Sequence, residues 1–436
     1  MAAAEQTAVG GPITPLARAR AILGGSAGNF VEWYDWFAYA SFSLYFAKVF
    51  FPGGDQTAQL LQTAAVFAVG FLARPVGAWI MGVYADRAGR KAALIASVAL
   101  MCLGSLIVAV VPGYRTIGPA APVILTLARL VQGLSVGGEY GASATYLSEM
   151  AGRGRRGLWS SFQFVTLIGG QIAALAVLIV LQATLGKGEL EAWGWRIPFV
   201  IGALLAVVVF WIQSQLGETA SFAAVQAARP VGSVTWRLIK RHPRECAMIF
   251  ALTAGGSLSF YCYTTYMQKF LTNSGHFSKA AASEISAASL VIYLLAQPLG
   301  GWLGDMLGRR ALLAGAFAVG AVMTWPLMSA IAAAHSAGLA LALVCAALVI
   351  LTGYSSVSAV VKAELFPAHV RGLGVALPYA LANAVFGGTA EYIALAFKQA
   401  GHEAAFFVYV SLVLAGAAAV AFFMRETRTA SLILED

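Results

Sequence analysis

Two stretches, Gly82-Val-Tyr-Ala-Asp86-Arg-Ala-Gly89-Arg90-Lys91 and Gly301-Trp-Leu-Gly-Asp305-Met-Leu-Gly308-Arg309-Arg310, repeat glycine, aspartate, glycine and arginine at one spacing in distant parts of the chain. Each lies between two long apolar runs. A second echo follows both: Glu149 precedes Arg156-Gly157 as Glu364 precedes Arg371-Gly372, at the same separation. Such self-similarity at equivalent places predicts a parallel repeat of two halves. The one long polar stretch, 216–244 with Pro230, Pro243 and several arginines, divides them. The expected organisation is an amino-terminal segment 1–20, a six-helix bundle 21–215, a linker 216–244, a second six-helix bundle 245–424 and a tail 425–436.

The apolar runs define the rest. Of 436 residues 60% are hydrophobic and 11% charged, which excludes a soluble globular domain. Roughly 20 apolar residues cross about 30 Å of hydrocarbon. Runs of that kind recur at 21–47, 57–85, 92–111, 121–150, 158–184, 195–215, 245–273, 280–303, 311–334, 337–363, 371–398 and 403–424. The fold class expected is an all-α membrane protein of twelve transmembrane helices in two pseudo-symmetric six-helix halves. No small-residue cleavage site closes the first run, so it reads as an uncleaved helix.

Charge sets the orientation. Lys48, Arg115, Lys187, Arg196, Lys279 and Lys398 fall in one set of loops, and Arg74, Arg129 and Lys269 lie deep in runs. The rest of the 28 Lys and Arg fall in the amino-terminal segment, the opposite loops, the linker or the tail. Basic residues gather on the cytoplasmic side, so both termini are expected there, in a bacterial inner membrane. The net charge of +9 is then a topology signal rather than a nucleic-acid surface. The four cysteines stand singly, with no disulfide or metal spacing. No glycine-rich loop ends in Lys-Ser or Lys-Thr, which disfavours direct ATP energisation. Gly133-Leu-Ser135-Val-Gly137 matches a hydrolase nucleophile pattern but lies inside an apolar run, where small residues serve helix packing. Neither an enzyme nor a cofactor or metal is expected.

Ionisable groups deep in a span cost about 2.5–3.5 kcal/mol or more, so each needs a partner or a task. Glu32, Asp35, Arg74, Arg129, Glu139 and Lys269 lie at membrane depth, three cations against three anions, with Glu391 nearer the outside. A dianion entering this set leaves excess negative charge, and protonating one acid restores the balance, a reason to couple a dicarboxylate to protons. Asp35 and Glu32, three apart on one helical face, are proton-coupling candidates, with Glu139 as competitor. Arg74 and Arg129 offer forked donors to a carboxylate, and Lys269 a point charge for a second one. Tyr263 and Tyr266 share the face of Lys269 by their spacing, and Gln163, Gln171 and Asn383 add neutral donors. Arg129 equally suits an ion pair between helices, and the tyrosines equally suit packing. Asp86, Arg90, Glu149, Asp305, Arg309 and Glu364 form an expected cytoplasmic gate, acids near helix ends against arginines.

Further segments, Gly28-Asn-Phe-Val-Glu32-Trp-Tyr-Asp35, Gly70-Phe-Leu-Ala-Arg74-Pro75, Ala128-Arg129-Leu-Val-Gln132-Gly133, Gly137-Gly-Glu139-Tyr140 and Trp193-Gly-Trp-Arg196-Ile-Pro198, extend the pattern. With the repeated loops they resemble the metabolite:proton symporter family of the major facilitator superfamily, from Gly24 to Met424. The resemblance implies the major facilitator fold and alternating access of a monomer in the lipid bilayer, with a small carboxylate and protons as partners. Gln59-Leu-Leu-Gln-Thr-Ala-Ala, Gly255-Gly-Ser-Leu-Ser-Phe-Tyr261, Thr264-Thr-Tyr-Met-Gln-Lys269 and Phe386-Gly-Gly-Thr-Ala-Glu391-Tyr are similar to the dicarboxylate-carrying branch, which implies uptake of α-ketoglutarate or a similar dicarboxylate. Two alternatives stay open: symport of another metabolite (citrate or another tricarboxylate, shikimate, a zwitterionic osmolyte), and a non-transporting membrane receptor. The short tail after Met424 speaks against the osmolyte carriers, which often end in long coiled coils.

Overall fold

The computed structural model describes residues 15–88, 90–136, 144, 147–148, 153–214 and 241–433. Twelve spans follow in order: α1 Pro15–Phe50, α2 Gln56–Ala88, α3 Arg90–Val110, α4 Ala120–Val136, α5 Arg156–Thr184, α6 Ile197–Ser214, α7 Pro243–Tyr263 with a second piece Met267–Asn273, α8 Lys279–Leu307, α9 Arg309–Ala332, α10 Ala337–Glu364, α11 Ala368–Ala382 continued by Asn383–Gly387 and Ala390–Gln399, and α12 Glu403–Phe423. Helices are the form that satisfies each backbone group within its own segment in hydrocarbon. Among the described residues nine of them are long and apolar enough to cross a membrane, and Ile95–Val110 and Ala120–Ser135 are shorter apolar helices. Helix α1 begins at Pro15, ahead of the expected Ala21, because proline's fixed φ suits a first helical turn.

The polarity is that of a protein in lipid. Val110, Leu204, Trp211, Leu299, Val322, Leu412 and Phe423 face outward, while Asp35, Arg74, Arg129, Lys269, Lys362 and Glu391 are buried. Helix α1 packs on α5 and α6, α2 on α4, and α9 on α10 and α12. The two halves of the chain meet where α5 packs on α8 and α2 on α11. At the first contact a Cβ on Gly301 would stand 2.5 Å from the Gly157 carbonyl oxygen, and one on Gly157 the same distance from that of Gly301. Glycine at both positions is what lets the backbones touch.

Both ends of this seam are bridged. On one face Asp305 of α8 accepts the backbone N–H groups of Gly157, at 2.8 Å, and Leu158, at 3.0 Å, at the start of α5, where the helix dipole favours an anion. Arg309 donates to Asp305 at 3.0 Å and to Glu364 at 2.5 Å, so one guanidinium ties three helical ends. The turn between α8 and α9 needs Gly308, whose φ is +96°. Glu426 packs against it and accepts from Arg309 N at 3.1 Å and Arg310 N at 3.0 Å. The tail then crosses to the first half: Arg371 donates to the Leu432 carbonyl at 2.9 Å and Arg156 to that of Ile433 at 3.3 Å.

On the opposite face Lys279 of α8 donates to the Leu44 carbonyl at 2.9 Å and to Glu191 at 3.1 Å, and Lys48 pairs with Glu191 as well. Beside them Gln182 bonds Tyr45 at 2.6 Å and Ser283 at 3.2 Å. Partial burial works against ionisation of Glu191, but Lys48 and Lys279 together hold its carboxyl below the ordinary glutamate value.

Candidate substrate and proton site

Between the two bridged faces lies a buried aromatic and ionic layer. Asp35 on α1 receives Arg129 Nη1 at 3.1 Å and Gln132 Nε2 at 2.7 Å from α4, and the hydroxyl of Ser105 from α3. Arg129 and Gln132 are three apart and so project from one face of α4. Arg129 Nη1 also meets Gln132 Oε1 at 2.5 Å. Its guanidinium lies 4.3 Å from the Trp36 ring and 4.2 Å from that of Tyr39. Asp35 is thus a carboxylate held by three donors, and Arg129 takes up the helix-to-helix ion pair that its spacing allowed.

Arg74 on α2 is buried above a different part of the same cage. Its guanidinium is 3.8 Å from the Phe71 ring centre, 4.3 Å from Trp36 and 5.0 Å from Trp33. Trp36 therefore lies between two cations, which its ring face attracts. Arg74 is in electrostatic contact with Glu32, Tyr261 and Tyr379. Among the described residues its Nε and Nη2 have no hydrogen-bond partner, and the same holds for Nε and Nη2 of Arg129. The two acids expected to form one cluster serve different arginines: Asp35 faces Arg129, while Glu32 faces Arg74 and Tyr261.

In the second half the expected ligands are rearranged. Lys269 pairs with Glu391 at 2.7 Å, and both side chains are buried. A buried ammonium requires a partner, and α11 brings Glu391 to this one. Tyr263 does not share the face of Lys269, since α7 is broken after it; Tyr266 caps the second piece of α7, which carries Lys269. The Tyr263 hydroxyl bonds Thr324 on α9 at 2.6 Å, and that of Tyr266 donates to Glu403 at 3.3 Å. The three-residue spacing rule holds only along an unbroken helix. Asn383 opens a π turn of α11, a local widening frequent at functional sites, and lies with Gly387 against Tyr261. Gln163 and Gln171 are buried on α5.

Of the expected gate, Asp305, Arg309 and Glu364 form the cluster described above. Glu149 and Glu139 lie outside the described residues, as do the side chains of Asp86 and Arg90.

Residues not singled out by spacing complete the layer. Tyr261 meets Phe71 across the halves at 5.4 Å between ring centres, Phe37 meets Phe260 at 6.4 Å, and Phe164 meets Tyr354 at 6.4 Å. Lys362, counted among the basic residues that set topology, is buried inside α10. Its position within the apolar run 337–363 was the available signal.

A family model described as sugar (and other) transporter matches residues 21–229 and 213–435. The chain belongs to that family, within the major facilitator superfamily. It is 53% identical over 392 residues to the α-ketoglutarate permease of Escherichia coli, across 90% of each chain. To a citrate-proton symporter of Salmonella typhi it is 36% identical over 380 residues, 86% of each. A solved proton:xylose symporter bound to 6-bromo-6-deoxy-D-glucose superposes with a TM-score of 0.77, covering 95% of this chain and 98% of that one at 18% identity. At that identity the likeness is one of fold. The chain is a multi-pass membrane transporter.

Proposed function

We propose that this transporter takes up α-ketoglutarate, or a dicarboxylate close to it, with protons across a bacterial inner membrane. It works as a monomer by alternating access, with both termini cytoplasmic. Arg74 carries the reading: a buried guanidinium, with Nε and Nη2 unpartnered among the described residues, lies near Tyr261 and Tyr379 of the other half. Unpaired donors in a low-dielectric interior are a strong site for a carboxylate. The names of the relatives at 53% and 36% identity, a permease of α-ketoglutarate and a symporter of citrate with protons, support the same substrate class.

Asp35 is the proton carrier in this scheme. It accepts hydrogen bonds from Arg129, Gln132 and Ser105, so a proton arriving on it must displace a donor, which couples the proton to a movement of α1 against α4. Gln163, Gln171 and Asn383 add neutral donors around the substrate. The clusters at Asp305 and at Glu191 alternate as the inner and outer closures, each broken when the halves rock open on its side.

Uptake of radiolabelled α-ketoglutarate into proteoliposomes, with and without an inward proton gradient, tests this. Accumulation is expected only with the gradient, and Asp35→Asn is expected to retain exchange of substrate while losing gradient-driven accumulation. Gradient-independent accumulation sinks the coupling. Stronger competition by citrate, shikimate or betaine than by unlabelled α-ketoglutarate reassigns the substrate, and absence of any flux returns the protein to a receptor.

A further inference from the structure

We infer that residues 431–433 form a strap that travels with the second half and is clasped by Arg156 of the first half, so that the tail biases the transporter toward the state closed at the Asp305 face. The inference is independent of the substrate and rests on the reading above that this face closes and opens as the halves rock.

The second sequence echo, Arg156-Gly157 and Arg371-Gly372, gives each half one arginine at an equivalent place. The structure brings both to one stretch of the tail. Arg371 Nη2 donates to the Leu432 carbonyl at 2.9 Å, and Arg156 Nη1 to the next carbonyl, that of Ile433, and to the Ser431 hydroxyl, each at 3.3 Å. Both arginines are buried, and so is Ile433 although it lies near the end of the chain.

The tail is fastened unequally. On the second half Glu426 accepts the N–H groups of Arg309 and Arg310, Arg428 Nη1 donates to the Met306 carbonyl at 2.8 Å, and the Leu432 N–H donates to the Glu364 carbonyl at 3.1 Å. From the first half Arg156 holds it. Arg156 opens α5 just ahead of Gly157 and Leu158, whose N–H groups Asp305 accepts. A movement that separates α5 from α8 therefore draws Arg156 out of the tail, while the fastenings to α8, α9 and α10 stay with the second half.

The acceptors set the strength of the clasp. Asp305 and Glu364 are carboxylates matched to Arg309, and parting such charges is expensive. The tail offers Arg156 a hydroxyl and a carbonyl, neutral groups that water can satisfy once the face is open. A guanidinium donor still strengthens the bond while it lasts. The strap thus shifts the balance between two states without locking either.

The test places spin labels on Gly154→Cys and Gly372→Cys, one beside the repeated arginine of each half and both with open space beyond the α-carbon, in protein whose native cysteines are replaced by alanine. The distance between the labels reports the open and closed populations of this face. Leu432→Pro removes the N–H that ties the strap to Glu364, and Ile433→Lys buries a cation beside Arg156 and Arg371. Each is expected to raise the open-to-closed ratio about tenfold, the low end for a lost hydrogen bond to a charged group, because both Arg156 contacts are long. Leu432→Ala alters only an exposed side chain and should leave the ratio as in wild type. Either of the first two variants decides if the other does not fold. A lowered thermal transition with an unmoved ratio shows a tail that serves folding only, and overturns the strap. A single distance in every variant, with and without α-ketoglutarate and acid, overturns instead the two-state reading of this face, and the strap with it.

Discussion

Replacing Lys269 by methionine separates a structural cation from a substrate ligand. Its ammonium is 2.7 Å from the Glu391 carboxylate, and both side chains are all but inaccessible. Removing one member of a buried pair costs about 3–5 kcal/mol, since the other charge stays buried without compensation. Removing both, as Lys269→Met with Glu391→Gln, leaves no stranded charge and returns the fold close to wild-type stability. The cycle of single and double variants therefore yields a coupling of at least about 6 kcal/mol, the sum of the two single losses that the double variant escapes. The assay is unfolding of purified protein in nanodiscs followed by tryptophan fluorescence, paired with α-ketoglutarate uptake normalised to the protein incorporated. The expected result is an unstable single variant and a stable double variant that still transports. A stable double variant unable to bind dicarboxylate would show that Lys269 touches substrate, and a double variant as unstable as the single would refute the pairing itself.

Asp305→Asn keeps the shape but removes the charge that accepts two N–H groups from α5 and pairs with Arg309. A loss of about 1–3 kcal/mol in thermal unfolding is expected, and an unchanged transition would count against a tied seam at this face. Glu426→Ala uncovers the first N–H groups of α9 and should cost about 1 kcal/mol, as for other lost caps. Gly308→Ala, at φ +96°, should be destabilising for a different reason, backbone strain that a larger excess of denaturant sensitivity over Glu426→Ala would reveal. For Glu191 the sign follows from its lowered carboxyl: the stabilisation is whole above the ordinary glutamate value of about 4.3 and fades as pH falls through the lower folded value. Thermal unfolding of wild type should therefore approach that of Glu191→Gln only in acid, and a gap that persists undiminished there contradicts the bridge.

Legibility differed sharply between fold and site. Hydropathy exposes most of the spans, because a helix in lipid must be largely apolar along its length. The repeated Gly, Asp, Gly and Arg pattern similarly announced the α8–α9 turn, where Gly308 takes a left-handed φ and Asp305 and Arg309 do the tying. Asp35, Arg74 and Arg129 were legible as buried, since a charge deep in an apolar run has nowhere else to go. What each of them faces was not. Asp35 and Glu32 share a helix face at short range but diverge to Arg129 and Arg74. Tyr263 and Lys269 share a spacing but not a helix, because α7 is interrupted between them.

The sequence by itself determined twelve spans in a repeated order and which charges lie at depth, because these depend on local composition and on period along the chain. Only the tertiary structure decided how those charges are matched: Arg129 to Asp35, Lys269 to Glu391, and Lys362 buried among Tyr354 and Tyr379. Matching depends on distances between helices far apart in sequence, where a shift of one residue or one broken turn exchanges one partner for another.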